Sequence, residues 1–323
     1  METLRISIAM CTYNGARFLP EQLESLAGQT RTPDELVICD DGSTDDTADV
    51  VQTFAARAGF PVYFKVNETR LGTARNFAKA ISCCQFEIIA LCDQDDVWHP
   101  EKLRRIGEVL AANKNAGAVF SDAELIDEDS KPLGETLWTT YRVTPRDQGR
   151  FEGGQGLKVL LKHDSVTGAT LAFRSIFRDL ILPVPPEQHH DLWIAMLIAS
   201  VSHLVALGCP LVSYRKHGAQ QIGPGIKFSF WQKLPRQIGP DYYLREVQRL
   251  REICDRLEQG HVAFVPHPNA IGLIRQKINH RKARAEFPNS RILRLPAVMH
   301  EAVTLGYWRY SSGLGSLAKD LLV

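Results

Sequence analysis

Within the first 120 residues, short apolar segments alternate with helical patterns. Leu4–Cys11, Leu36–Asp40, Val62–Val66 and Glu87–Cys92 are rich in Val and Ile and read as buried strands. Between them, one helical pattern opens at Pro20 with Leu23 and Leu26, and a second follows Asp45-Asp46 with Val50, Val51 and Phe54. A third spans Thr73–Cys84 with Phe77, Ala80 and Ile81, and a fourth starts at Pro100 with Leu103, Ile106 and Leu110 on one face. Such alternation predicts an α/β fold with a mostly parallel sheet covered by helices on both faces. In these sheets ligands bind beyond the carboxyl ends of the strands, so the polar residues after each strand are the candidates for function.

Further strands are expected at Gly117–Ser121 and Thr170–Phe173, and the polar segment Asp129–Gly156, with two prolines and five glycines, as an excursion near the site. Leu192–Tyr214 carries no Asp, Glu, Lys or Arg. It is interrupted by Ser200, Ser202, His203, Gly208 and Pro210, so it reads as a buried helix followed by core strands rather than a membrane span of about 18 or more apolar residues. Helical patterns dominate after Gly225, most clearly in Asp241–Leu257. The formal charge of +1 conceals an asymmetry: residues 1–224 hold 22 basic and 29 acidic side chains, residues 225–323 hold 16 and 8. A boundary near Pro224 is therefore expected between an acidic catalytic body, with halves at about 1–122 and 123–224, and a basic helical appendage, 225–323. Arg275, Lys277, Arg281, Lys282 and Arg284, followed by Leu305, Tyr307, Trp308 and Tyr310, are the mix expected of a segment lying on an anionic membrane, although a basic helical cap also explains it. Seven cysteines without a C-x-x-C pattern fit reduced thiols in a cytoplasm, and Met-Glu-Thr-Leu-Arg does not read as a signal peptide. The acidic body argues against a nucleic-acid partner.

After the first strand, Thr12, Tyr13 and Asn14 offer a hydroxyl, an aromatic face and an amide where a nucleoside could sit, and an Asn-Gly turn alone also accounts for them. The first loop lacks the G-x-G-x-x-G of a dinucleotide fold. After the second strand, Ser43 or Thr44 can cap a helix, but capping does not account for Asp40-Asp41, where a carboxylate could accept a base N–H. After the fourth, Asp93-Gln94-Asp95-Asp96 places three carboxylates in four residues behind a buried strand. A cation among them would relieve their mutual repulsion, and oxygen donors alone suit Mg²⁺ or Mn²⁺. A solvated acidic loop capping the helix at Pro100 is the alternative, against which the apolar residues before it and Trp98 after it argue. Residues two apart in an extended chain project to one side, which pairs Asp93 with Asp95. Asp191, after His189-His190, opens an apolar helix and can be an N-terminal cap, while Arg215, Lys216 and His217 follow a core strand and offer an anion contact or a surface loop.

Ser7–Asn14, Asp40-Asp41-Gly42-Ser43, Gly72 followed by Ala74-Arg75-Asn76-Phe77, and Asp93-Gln94-Asp95-Asp96, in this order, resemble family 2 glycosyltransferases with the GT-A fold over roughly residues 4–220. Gln94, Thr167-Gly168, His190-Asp191-x-Trp193 and Tyr214-Arg215-x-His217-Gly218 resemble the branch that builds bacterial surface polysaccharides and includes many rhamnosyltransferases. The resemblance implies that Thr12, Tyr13, Asn14 and Asp41 hold the nucleoside, with Asp41 reading the base, and that Arg75, Asp93 and Gln94 contact the donor. It implies that the metal ligands come from Asp93, Asp95 and Asp96, and that Asp191 is the general base. Gly168, His190, Arg215 and His217 become candidates for diphosphate or acceptor contacts. Many relatives have Glu-Asp where this chain has His190-Asp191. The implied reaction is a metal-dependent single displacement with inversion, from a dTDP-rhamnose or UDP-sugar donor to a glycan or lipid-linked acceptor at the inner face of the membrane. The processive members' Gln-x-x-Arg-Trp motif is absent. Rival readings are a nucleotide-sugar-binding subunit without activity, which would be expected to have lost these carboxylates, and a sugar-phosphate nucleotidyltransferase, which usually has a glycine-rich basic first loop.

Overall fold

The computed structural model describes residues 4–163, 165–218, 239–260 and 263–322. Nine strands form one mixed sheet: β1 (Ile6–Thr12), β2 (Glu35–Asp40), β3 (Val62–Val66), β4 (Ile88–Cys92), β5 (Val97–Trp98), β6 (Ala116–Ile126), β7 (Pro132–Thr136), β8 (Leu171–Arg174) and β9 (His203–Arg215). Their spatial order is β3-β2-β1-β4-β8-β6-β9-β5, with β7 paired to β6. The first four strands are parallel, β8 runs antiparallel to both β4 and β6, and β9 returns parallel to β6.

Every residue of β1, β2 and β4 is buried, as their continuous apolar runs require of strands covered on both faces. β3 departs from the expectation of a buried strand. It is the sheet edge, with Tyr63 and Val66 exposed, because no strand follows it in the order. The helices alternating with these strands are α1 (Leu19–Ala27), α2 (Thr47–Ala55), α3 (Thr73–Cys83) and α4 (Lys102–Ala112). The polar excursion after residue 129 holds β7, α5 (Leu137–Tyr141) and α6 (Pro145–Glu152), each helix opened by a threonine capping box at Thr136 and Thr144. Then come α7 (Gly156–Leu160), α8 (Arg178–Ile181) and α9 (His190–Val201). The charge-free stretch is thus one helix and one long strand. α9 is buried on nearly all sides, so its sequence shows no apolar stripe, and Trp193 Nε1 donates to Ile181 O at 2.8 Å. No helix among the described residues is long and apolar enough to cross a membrane.

The chain ends in α10 (Pro240–Glu258), α11 (Ala270–Ala285), α12 (Arg291–Val303), α13 (Gly306–Tyr310) and α14 (Leu314–Leu322). The boundary expected near Pro224 lies outside the described residues. α10 braces the segment leading into α9: Arg249 Nε donates to Glu187 O at 2.7 Å, Gln188 Nε2 to Arg249 O at 2.9 Å, and Arg256 Nε to Leu180 O at 2.9 Å. The basic cluster expected to face a membrane mostly turns inward. Lys277 and Arg281 pair with Glu246 at 3.0 and 2.8 Å, Arg284 with Asp320 at 2.7 Å, and Arg275 with Glu258 at 2.6 Å. Tyr307 and Tyr310 are buried, and Tyr307 OH donates to Asp320 at 2.7 Å. A helical cap needs the charges of Lys277, Arg281 and Arg284 internally to join α10, α11 and α14, whereas the Arg275–Glu258 pair stays at the surface.

Candidate active site

The parallel register aligns the carboxyl ends of three strands, with Thr12 opposite Asp40 and Met10 opposite Cys92. The loops that follow open onto one cavity of about 600 Å³. Thr12, Tyr13, Asp41, Arg70, Asp93, Gln94 and Asp95 line it from the β1–β4 side; Tyr141, Gly168, His190, Asp191 and Tyr214 line it from the other.

On the first side, carboxylates organise backbone. Asp40 accepts the Ser43 N–H at 2.7 Å and the Thr12 hydroxyl at 2.7 Å, which turns the chain at Gly42, whose φ is 82°. Asp41 accepts Leu71 N–H at 2.6 Å, Gly72 N–H at 2.8 Å and Asn67 Nδ2 at 2.9 Å, fixing the loop that enters α3. That loop carries Arg70, whose guanidinium lies 4.0 Å from the centre of the Tyr13 ring. Gln94 clamps Tyr13 from both sides, accepting its N–H at 2.8 Å and donating to its carbonyl at 3.1 Å.

The acidic segment divides by direction. Asp93 and Asp95 line the cavity, whereas Asp96 is turned into the protein and accepts Arg215 N–H at 3.0 Å. Burial pushes the Asp93 carboxyl up to about 7, and the charges of Asp95 and Asp191 push the same way. Burial also raises Asp96 well above the carboxylate range. Beneath them Lys102 is fully buried; its Nζ donates to Ala169 O at 2.6 Å and lies 3.3 Å from the Trp98 ring centre, and burial lowers it to about 7. His217 Nε2 is 2.8 Å from Asp95 Oδ2.

On the second side, Asp191 in the first turn of α9 accepts Leu192 N–H at 2.7 Å and Gly168 N–H at 3.3 Å, which steadies its carboxylate at the cavity wall. The His190 ring stacks on Phe77 at 4.0 Å, burial lowers its pKa, and its Nε2 is buried with no hydrogen-bond partner. The unpartnered His190 Nε2 and the Asp191 carboxylate are thus two polar groups on this wall that an incoming hydroxyl can meet.

Thr12, Tyr13, Asp41, Asp93, Gln94, Asp95, Gly168, His190 and Asp191 therefore share one cavity. Five expected positions do not line it. Asn14 (φ 48°) accepts Thr44 N–H at 2.8 Å, and so builds the first loop. Arg75 is on the exposed face of α3. Asp96 is held inward by the β9 backbone. Arg215 is fully buried, donating to Asp95 O at 2.7 Å and Ser130 Oγ at 2.8 Å and pairing with Glu21 at 2.5 Å, so it ties loops together and does not line the cavity. His217 is absent from the lining, but its Nε2 lies 2.8 Å from Asp95 Oδ2, which faces the cavity. Arg70 and Tyr141 are among the lining residues that carry no sequence expectation. Arg70 lies after β3, where the rule for strand ends would have found it, while Tyr141 comes from the excursion and gives no local signal.

Asp93 and Asp95 suit a hard divalent cation, because they offer carboxylate oxygens on one wall of a polar cavity. Among the described residues no group of three or more His, Cys, Asp and Glu side chains converges as a metal cage. Two carboxylates completed by substrate phosphate oxygens is the usual arrangement for Mg²⁺.

Residues 7–181, more than half of the chain, match the model of the family described as "Glycosyl transferase family 2". An uncharacterized glycosyltransferase of Nostoc sp. is 29% identical over 249 residues, covering 73% of this chain and 72% of that protein. An uncharacterized protein of Mycobacterium bovis is 34% identical over 128 residues, covering 38% of this chain and 36% of its own length. Among solved structures, S. aureus TarS 1-349 in complex with UDP-GlcNAc superposes with a TM-score of 0.60 at 16% identity, covering 98% of this chain and 82% of that fragment. The Pyrobaculum calidifontis mannosyltransferase PcManGT, in complex with GDP-Man and Mn²⁺, has a TM-score of 0.52 at 18% identity over 94% of this chain and 76% of its own. The fold and the family match agree, and the chain belongs to glycosyl transferase family 2.

Proposed function

We propose that the chain transfers a sugar from a nucleotide-diphospho-sugar to a hydroxyl of a glycan or lipid-linked acceptor, by a single displacement with inversion, in cell-surface polysaccharide synthesis. The observation that carries this is one cavity lined on one wall by Tyr13, Asp41, Asp93 and Asp95 and on the other by Asp191. Tyr13 and Arg70 give the nucleoside a stacking face, and Asp41 presents a carboxylate whose Oδ2 has a lone pair left after binding Gly72 N–H. Asp93 and Asp95 would hold Mn²⁺ or Mg²⁺ against the diphosphate, and the cation offsets the charge that grows on the leaving group. PcManGT, solved with GDP-Man and Mn²⁺, supports that choice of cofactor.

Asp191 accepts the proton of the acceptor hydroxyl as its oxygen forms the new bond at the anomeric carbon. The bond from that carbon to the diphosphate oxygen breaks, and its electron pair leaves with the nucleoside diphosphate. A general base of this kind contributes about 10²–10⁴-fold. The donor is dTDP-rhamnose or a UDP-hexose, and TarS, solved with UDP-GlcNAc, lends weight to the second. A panel of nucleotide-sugars in Mn²⁺, read by hydrolysis and by thermal shift, identifies the donor. Proton NMR of the product then gives the anomeric configuration. Stabilisation without turnover by any donor would favour a silent binding subunit, and a retained configuration would overturn the single displacement.

A further inference from the structure

Sixteen large apolar side chains are exposed among the described residues, and nine of them lie between Ile292 and Leu322. The concentration has a geometry. At 3.6 residues per turn, Ile292, Leu295, Met299 and Val303 fall in one stripe along α12. Val298, the one buried side chain of the helix, lies about 100° around the axis from the middle of that stripe, where α12 meets its neighbours. α12 thus reverses the usual order of a surface helix: its outward arc is apolar, with Ile292 84% and Val303 76% exposed. Trp308 follows, also exposed. None of these side chains lines the cavity.

Charge identifies the occupant. From Phe287 to Leu322 there are only two acidic residues, and both turn inward, Glu301 to His280 and Asp320 to Arg284. Arg291 and Arg309 are exposed and make no ion pair among the described residues. The outer surface of this segment is therefore apolar and cationic, with neither of its own two carboxylates turned outward. Two copies meeting through this face would bring like charges together, whereas an anionic bilayer accepts both features: the stripe enters the acyl boundary and the arginines meet headgroup phosphates. Trp is suited to the headgroup level.

We propose that the outer face of α12, continued through Trp308, docks the protein on an anionic membrane. The surface differs from the basic cluster of α11, of which Lys277, Arg281 and Arg284 are held in buried pairs, and it does not depend on the catalytic reading.

Co-sedimentation of the full chain with vesicles tests it, using phosphatidylcholine alone and an equimolar mixture with phosphatidylglycerol. The wild type is expected to bind the anionic vesicles at least about tenfold more tightly than the neutral ones. Ile292→Glu with Met299→Glu should lower that binding by about tenfold or more, with an unchanged melting temperature, because both side chains already face water. Arg291→Glu with Arg309→Glu should remove the preference for anionic vesicles. Equal binding by wild type and the stripe variant, or no binding by the wild type, overturns the proposal. So does a concentration-dependent oligomer, seen by light scattering, that the stripe variant abolishes; this result would assign the face to a second copy of the chain. Nucleotide-sugar turnover is measured separately and is expected to be the same in all variants with a soluble acceptor.

Discussion

Gly168 is the position where a single methyl group tests the architecture of the cavity most sharply. A Cβ built there lies 2.7 Å from His190 Nε2, against about 3.4 Å where ordinary contact begins, an overlap of about 0.7 Å. His190 has little room to retreat, since its ring is stacked on Phe77 and buried. The strain therefore passes to the Gly168 backbone, whose N–H donates to Asp191. Overpacking of this kind costs about 1–3 kcal/mol of stability. A shift approaching 1 Å in a group that orients a base costs about 10²-fold in rate. Gly168→Ala is thus expected to lower both the melting temperature and turnover of the donor found in the nucleotide-sugar panel. Much of the stability loss should disappear when His190→Ala is added, because the second change removes the atom struck by the first. Additive losses, or a Gly168→Ala protein with full stability and activity, would show that this wall is not packed as described.

Three further outcomes follow from the same geometry. Arg215→Ala should destabilise the protein by about 3 kcal/mol or more in chemical denaturation, since it removes a fully buried side chain together with its bonds to the part-buried carbonyls of Asp95 and Asp127 and its pair with Glu21. A wild-type melt with only nucleotide affinity lost would instead make Arg215 a phosphate contact. Asp95→Ala should weaken nucleotide-sugar binding in Mn²⁺, measured by calorimetry, and equal affinity with and without the cation would remove the metal from the account. Arg70→Ala should weaken donor binding about tenfold through loss of its contact over Tyr13, while Arg75→Ala on the exposed face of α3 leaves it unchanged. The reverse pattern would restore the role that family resemblance gave to Arg75.

The parallel half of the sheet was legible because its strands are buried on both faces, and such strands announce themselves as Val- and Ile-rich runs between helical periods. β3 reads the same way yet lies at the edge, since local composition does not report which strand stands outermost. The excursion was located, but its polar, glycine-rich sequence gave no sign of Tyr141 at the cavity. Asp93 and Asp95, paired by spacing, do line the cavity together, but Gln94 lines it as well and the chain bends after β4, so simple alternation does not account for Asp96, which the β9 backbone holds inward. Arg215 and the α11 cluster illustrate the limit. A cation in sequence is only a charge, and whether it meets solvent, a ligand or a buried carboxylate depends on partners such as Glu21, Glu246 and Asp320, distant along the chain.

The central claim is that Asp191 takes the acceptor proton rather than merely capping α9. Asp191→Asn keeps the shape of the side chain and an oxygen able to accept a backbone N–H, and removes the basicity. Steady-state transfer kinetics, with donor affinity measured on the same preparation, separate the two roles. The account predicts kcat reduced about 10²-fold or more, with donor affinity and melting temperature nearly unchanged. Turnover within a few-fold of wild type would contradict it and leave Asp191 as a helix cap.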